Sequence, residues 1–214
     1  MGQLELMTPI CKAHCSDRGF ECTVLAVQTF GGAGYTGEFP VEQHMRDTKI
    51  ASIYEGTNGI QALDLLGRKM RMAGGAHFMA WMGEATELIE SAKAHDALAD
   101  AATSLEKAVQ TAGMSAMHLS GVGAGGDIAG AMVHATPFLE MMGTIVLGLH
   151  SLWQGRVALE RLDMDEVSDA DARFYRSKVV GVRFYVAQVL PRAIALSKTI
   201  RSGDKSCLED VLWM

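Results

Sequence analysis

The sequence has 214 residues, enough for one large domain or two small ones, and 49% of them are hydrophobic, which excludes a mostly disordered chain. The formal net charge is −6, and no cluster of Lys and Arg is interleaved with aromatic residues, which argues against nucleic acid as a partner. The first residues lack the pattern of a signal peptide, and no run of about 18 uninterrupted apolar residues occurs. The sequence therefore predicts a cytoplasmic protein without membrane insertion.

Apolar residues recur every three or four positions along most of the chain, whereas strand signals are nearly absent, which predicts an all-α fold. A first helix is predicted from about Leu4 to Thr29. It ends at the stretch GGAGYTGEFP, whose glycines allow backbone angles that other residues avoid. A short helix from about Pro40 to Arg46 is predicted next. A longer helix follows from about Thr57 to Met72, with Thr57 or Asn58 as its cap.

The glycine pair after this helix is the predicted boundary between residues 1–74 and residues 75–214. The second segment is predicted to be an up-down bundle of long amphipathic helices. Their approximate bounds are His77–Ala94, Ala97–Leu119, Ile128–Arg161 and Asp169–Arg201. Pro137 and Pro191 lie inside the last two helices, so each proline should either kink its helix or interrupt it.

Three cysteines, Cys11, Cys15 and Cys22, are spaced so that they lie along one side of the first helix. His14 points away from that side and the sequence has no CxxC pair, so buried free thiols are predicted and no metal site. Methionines at helical spacing are predicted to fill the core, namely Met79 with Met82 and Met114 with Met117.

A carboxylate, Glu55, stands between an apolar run and a glycine in the stretch KIASIYEGTNGIQALDLLGRK. One interpretation is a charge at a helix N-terminus, which stabilises the helix dipole by about 0.5 kcal/mol. The other is a general base, because a carboxylate in apolar surroundings has its pKa raised toward neutrality. Ile53 and Tyr54 precede Glu55, and Gly56 would let a substrate approach the backbone. Spacing alone leaves both interpretations open.

The stretch QTFGGAGYTGEFPVEQHMRDTKIASIYEGTNGIQALDL closely resembles the C-terminal helical domain of the FAD-dependent acyl-CoA dehydrogenases. The resemblance runs from about Gln28 to Arg68, and its hallmark segments QxFGGxGY and IYEGT stand in the family's order and spacing. Residues from about Gly75 onward resemble the helical extension of the larger branch of the family, which includes the 3-methylmercaptopropionyl-CoA dehydrogenases. The resemblance implies the end of the family's C-terminal helical domain, followed by an up-down helical bundle extension.

The resemblance also implies roles for individual residues. Glu55 would remove the α-proton of an acyl-CoA thioester while the β-hydride passes to FAD, and Gly56 would lie along the substrate. Tyr54 could shape the acyl pocket or simply pack. The residues that match FAD contacts are Gln28, Thr29, Phe30, Gly31 and Gly32, which would reach the adenosine end across a subunit interface, and Thr57, Asn58 and Gly59, just after the base. Gly59 stands where many shorter-chain members have glutamine.

Family members carry a helical domain and a β-rich domain before this region, and those domains hold most of the flavin and CoA contacts. The resemblance therefore implies that these N-terminal domains are supplied in cis or in trans. It further implies a homo-oligomer and an electron-transfer flavoprotein as electron acceptor. The alternative is a non-catalytic helical module that binds a partner chain or self-associates.

Overall fold

The computed structural model describes residues 2–164 and 167–209, and these residues form helices and turns without any strand. The predicted all-α fold is confirmed. The α-helices are α1 (Gly2–Phe30), α2 (Gly32–Tyr35), α3 (Val41–Lys49), α4 (Asn58–Gly67), α5 (Ala76–Lys93), α6 (Asp96–Ala124), α7 (Ile128–Met132), α8 (Ala135–Leu162), α9 (Asp169–Gln188) and α10 (Pro191–Ser202). Short 3-10 segments lie at Ile50–Ser52, Lys69–Gly75 and Ser206–Leu208.

Local signals in the sequence set several helix ends. The Thr57 hydroxyl accepts a hydrogen bond from the Ile60 N–H at 3.2 Å and caps α4 as predicted. Pro191 is the first residue of α10, where a missing N–H breaks no internal hydrogen bond. Pro137 likewise lies in the first turn of α8. Both prolines therefore mark interruptions, and each of the two longest predicted helices is a pair of helices.

The end of α4 differs from its prediction. The helix was expected to reach Met72, but it ends at Gly67 and gives way to a 3-10 segment. Met72 has an extended ψ of 138°, and Ala73 follows in the left-handed region with φ 49°. The turn before α5 is therefore made by the Ala-Gly-Gly stretch, as expected, but the α-helical hydrogen bonding stops earlier.

Helix α8 forms the centre of the hydrophobic core. Its fully buried side chains include Phe138, Met141, Met142, Ile145 and Leu152. Helices α1 and α4 contribute to the same cluster of buried side chains as α5, α6, α8, α9 and α10. The structure therefore packs residues from both sides of position 75 around one core, while the division into two domains there stays a prediction.

Two stretches, Ile128–Leu162 and Asp169–Ser202, are long and apolar enough to cross a membrane by length and composition alone. Each is divided into two α-helices in the structure. The most apolar window of the first is 67% buried, as expected for a core helix, whereas that of the second is only 22% buried. The second stretch therefore exposes an apolar face to solvent.

The predicted burial of the cysteines is wrong. Cys11, Cys15 and Cys22 are exposed, because the side of α1 that faces the core carries Leu6 and Ile10 instead. The predicted core role of the methionines is also wrong for Met79, Met114 and Met117, whose exposed fractions are 64%, 46% and 77%. Of the four methionines predicted to fill the core, only Met82 packs against it, as a partly buried side chain.

A buried histidine makes the fold sensitive to acid. The pKa of the His134 imidazole is lowered, mainly by burial and to a smaller extent by the nearby charge of His118. The unfolded chain therefore takes up the proton first, and the stabilisation by neutral His134 is complete above an ordinary pKa of about 6.5 and decreases as pH falls below it. We expect a lower melting temperature at pH 5.5 than at pH 7.5, and a smaller decrease in His134→Gln. An equal decrease in the variant would exclude this role.

Candidate active-site turn

Glu55 and Gly56 form a turn between the 3-10 segment Ile50–Ser52 and helix α4. Both residues have positive φ angles, 53° for Glu55 and 82° for Gly56. Such an angle is strained for a glutamate and is normal for glycine. A Cβ atom at position 56 would lie 3.1 Å from Gln61 Nε2 and 3.4 Å from Ile60 Cγ2. The backbone angle therefore favours glycine after Glu55, and a larger residue there would also displace the Gln61 side chain by a few tenths of an ångström.

Side-chain donors hold both carbonyl groups of this turn. The Lys12 ammonium of α1 donates to the Gly56 carbonyl oxygen at 2.8 Å and to Asn58 Oδ1, also at 2.8 Å. The Gln61 amide donates to the Glu55 carbonyl oxygen at 3.1 Å. The strained turn is therefore fixed from α1 on one side and from α4 on the other.

The Asn58 side chain connects the start of α4 to α1. Its amide nitrogen donates to Asp17 Oδ1 at 2.7 Å and to Ser16 Oγ at 2.9 Å, and it approaches the Ala13 carbonyl at 3.3 Å. The predicted cofactor contact Asn58 is thus engaged within the chain. Sequence reasoning missed this α1 group, because no local signal links a lysine or serine in one helix to a turn more than 40 residues away.

Glu55 lies outside α4, two residues before the Thr57 cap, and its side chain is exposed. Three neighbouring apolar side chains are about half exposed, at 51% for Ile53, 52% for Tyr54 and 54% for Ile60. The apolar rim that the general-base hypothesis expects is therefore present. The burial of the carboxylate that the hypothesis also expects is not supplied by the described part of this chain.

The other predicted cofactor group, Gln28 to Gly32, lies at the far end of α1. Gly31 leaves the helix with a positive φ of 63°. A Cβ atom at Gly31 or Gly32 would meet no atom within 4 Å, so the backbone there is open to approach. Thr29 is exposed, and the ring of Phe30 lies 5.3 Å from that of Phe39.

The structure does not bring the two predicted groups together. The Glu55 turn contacts α1 at Lys12 to Asp17, whereas Gln28 lies about 16 Å further along the helix at its rise of 1.5 Å per residue. The Thr57 hydroxyl is used as a cap. A Cβ atom at Gly59 would meet only Thr57 Oγ1 at 3.7 Å, so a side chain would fit there.

Removing the lysine that holds the turn should weaken the fold. In Lys12→Met the Gly56 carbonyl and Asn58 lose a charged donor in a partly buried position, for a cost of about 1 kcal/mol. That cost corresponds to a decrease of about 2–4 °C in melting temperature. Lys107→Met, at an exposed lysine of α6, is the control and should melt as the wild type does. Equal melting temperatures for the two variants would contradict the assigned role of Lys12.

Two family models match the chain. Residues 2–70 match the acyl-CoA dehydrogenase C-terminal domain, and residues 76–209 match the model described as acetyl-CoA dehydrogenase C-terminal like. The second match alone covers more than half of the chain. The chain therefore belongs to the acyl-CoA dehydrogenase family and represents its C-terminal helical part.

Similar proteins include longer dehydrogenases from bacteria. A butyryl-CoA dehydrogenase of Syntrophomonas wolfei is 30% identical over 204 residues, which are 95% of this chain and 33% of that protein. A 3-methylmercaptopropionyl-CoA dehydrogenase of Ruegeria pomeroyi is 34% identical over 206 residues, 95% of this chain and 34% of that protein. A broad-specificity linear acyl-CoA dehydrogenase of Mycobacterium tuberculosis is 29% identical, with 96% and 34% covered. The chain spans about a third of the length of these relatives.

Proposed function

We propose that this chain supplies the α-proton base, Glu55, to a flavin-dependent acyl-CoA dehydrogenase. The strained turn at Glu55 and Gly56 carries the proposal, because two side chains, Lys12 and Gln61, hold it in place. Glu55 forms no ion pair with any residue in 2–164 or 167–209. An unpaired carboxylate on a backbone that is strained and firmly held is typical of a functional turn.

The turn offers two groups to a thioester substrate. The Glu55 carboxylate would take up the α-proton. The Glu55 N–H donates no hydrogen bond within the described residues, so it is free to donate to the thioester oxygen on which negative charge develops. The α-proton of a thioester is only weakly acidic, so a positioned base and a positioned donor are both needed. Gly56 would lie along the substrate, with Tyr54 at the rim.

FAD, when bound, would accept the β-hydride. The open backbone at Gly31 and Gly32 fits contact with a cofactor that approaches from outside this chain, and Gln28 is exposed beside them. Near Glu55, the side chains of Thr57 and Asn58 are engaged within the chain, so contacts there would use backbone atoms. The two groups would serve different parts of the cofactor or two copies of it. Acyl-CoA, a second copy and an electron-transfer flavoprotein are the proposed partners of the assembled enzyme.

The isolated chain should bind FAD weakly or not at all. The proposed contacts are mostly exposed and lie in two separate groups, one at the end of α1 and one at the start of α4. They cannot enclose a dinucleotide without the domains that precede this region in longer relatives. Calorimetric titration of the chain with FAD checks this expectation. Sub-micromolar binding by the chain alone, or a purified protein that is yellow, would contradict it.

A further inference from the structure

Positive charge is concentrated in α9 and α10. The first turn of α9 carries two acidic residues, Asp169 and Asp171, but residues 172–203 contain seven Lys and Arg and no Asp or Glu. The rest of the chain has 12 Lys and Arg and 25 Asp and Glu, including these two. None of these seven cations forms an ion pair within residues 2–164 and 167–209. An acidic protein that places more than half of its unpaired cations on two consecutive helices has a surface suited to a negatively charged partner.

The outward side of α9 is aromatic as well as basic. Phe174, Val180 and Phe184 have exposed fractions of 55%, 53% and 64%. Arg173 and Arg176 are exposed beside them. We call these five residues the α9 face. Exposed aromatic side chains and arginines together are the types that carry most of the binding energy at protein interfaces.

A groove on another part of the molecule has the complementary character. It lies between α5 and α8 beside the start of α1, and its volume is about 570 Å³. Trp81, almost fully buried, lies at its base, and Trp153, 50% exposed, lies at its edge. Glu84 and Glu87 of α5 line it, are exposed and form no ion pair within the described residues.

The arginine that lines the groove does not neutralise the negative charge of these two carboxylates. Arg156 also lines the groove, but its guanidinium lies 2.6 Å from the carboxylate of Glu160. His150 lines the groove as well, with its ring centre 6.3 Å from that of Trp153. The α5–α8 groove therefore joins an aromatic lining to an excess of negative charge.

We infer that the α9 face of one copy of this chain docks in the α5–α8 groove of a second copy. The lengths match, because Trp81 to Ser91 along the groove and Phe174 to Phe184 along α9 each extend about 15 Å. The charges match as well, because the groove offers two carboxylates and the α9 face offers two guanidinium groups. Glu84 and Glu87 are one helical turn apart, and so are Arg173 and Arg176. Neither surface includes the Glu55 turn, so this interface is independent of the proposed function.

Charge reversal on each surface tests the interface in the full chain. Sedimentation equilibrium of the wild type at tens of micromolar should show self-association that weakens when salt is raised, since salt screens exposed charges. Arg173→Glu with Arg176→Glu should weaken it at least tenfold, and so should Glu84→Lys with Glu87→Lys. An equimolar mixture of the two double variants should associate again, because each then offers the other a surface of opposite charge.

Control variants separate this contact from association through other apolar surfaces. Lys107→Glu with Arg161→Glu makes the same change in net charge as the arginine double variant, at exposed sites outside both surfaces, and should leave self-association within about threefold of the wild type. Circular dichroism verifies that each variant is folded. A monomeric wild type, or reversed variants that associate like the wild type, would overturn the inference. So would a mixture that stays monomeric. Flotation of a monomeric wild type with phosphatidylserine vesicles would instead assign the α9 face to an anionic membrane surface.

Discussion

Replacing Glu55 with glutamine in the complete enzyme is expected to slow flavin reduction by acyl-CoA by at least about two orders of magnitude, because a positioned general base contributes roughly 10²- to 10⁴-fold. Glutamine keeps the size of the side chain but cannot take up the α-proton. The variant should still bind FAD and acyl-CoA, since the turn itself is held through carbonyl groups and not through the carboxylate. The measurement is anaerobic stopped-flow bleaching of the oxidised flavin band.

The complete enzyme is obtained by joining or mixing this chain with the domains that precede the region in longer relatives. Asp100→Asn, which removes a charge from an exposed position on α6, is the matched control and should react as the wild type does. Bleaching of Glu55→Gln within a few-fold of the wild type would mean that Glu55 is only a charge near a helix end. The chain would then act as a helical module.

Replacing Gly143 with alanine is expected to destabilise the fold by about 1–3 kcal/mol, the usual cost of overpacking a core. Gly143 is buried in α8, where a Cβ atom would lie 2.6 Å from His14 Cγ and 2.9 Å from His14 Cβ. The His14 Cβ atom belongs to the start of the side chain, so it cannot move aside unless α1 itself shifts. Each kcal/mol corresponds to a decrease of about 2–4 °C in melting temperature.

Gly83→Ala is the matched control for this substitution. Gly83 is exposed inside α5, and a Cβ atom there would meet no atom within 4 Å. The alanine should therefore stabilise the chain by up to about 1 kcal/mol through helix propensity alone. Thermal unfolding of both variants should give shifts of opposite sign, and shifts of the same sign would refute the close contact between α1 and α8.

The sequence could predict the all-α fold because helical periodicity is strong and repeated over most of the chain. It could also single out Glu55, whose neighbours match a family segment in order and spacing. The support of the turn could not be predicted. Lys12 lies 44 residues before Gly56, and nothing in either stretch names the other as its hydrogen-bond partner. Long-range contacts of this kind are determined by packing and not by local sequence.

The cysteines show a second limit of sequence reasoning. Their spacing placed Cys11, Cys15 and Cys22 on one side of α1, and that inference holds, since all three are exposed together. Periodicity does not say which side faces the core when both sides carry weakly polar or apolar residues. The end of α4 has a similar cause. Met70 and Met72 continue an apolar pattern after the α-helical hydrogen bonds have stopped.

Helix α1 also fixes both the distance and the relative rotation between the groups at its two ends. From Lys12, which holds the Glu55 turn, α1 runs without a proline to Phe30, directly before the open backbone at Gly31. Inserting a single residue between Asp17 and Gln28 would rotate everything beyond it by about 100° and shift it by 1.5 Å. Inserting seven residues would restore the direction to within about 20° but lengthen the spacing by about 10 Å. Length changes in this family should therefore be excluded from α1 and be tolerated in the turn between α2 and α3.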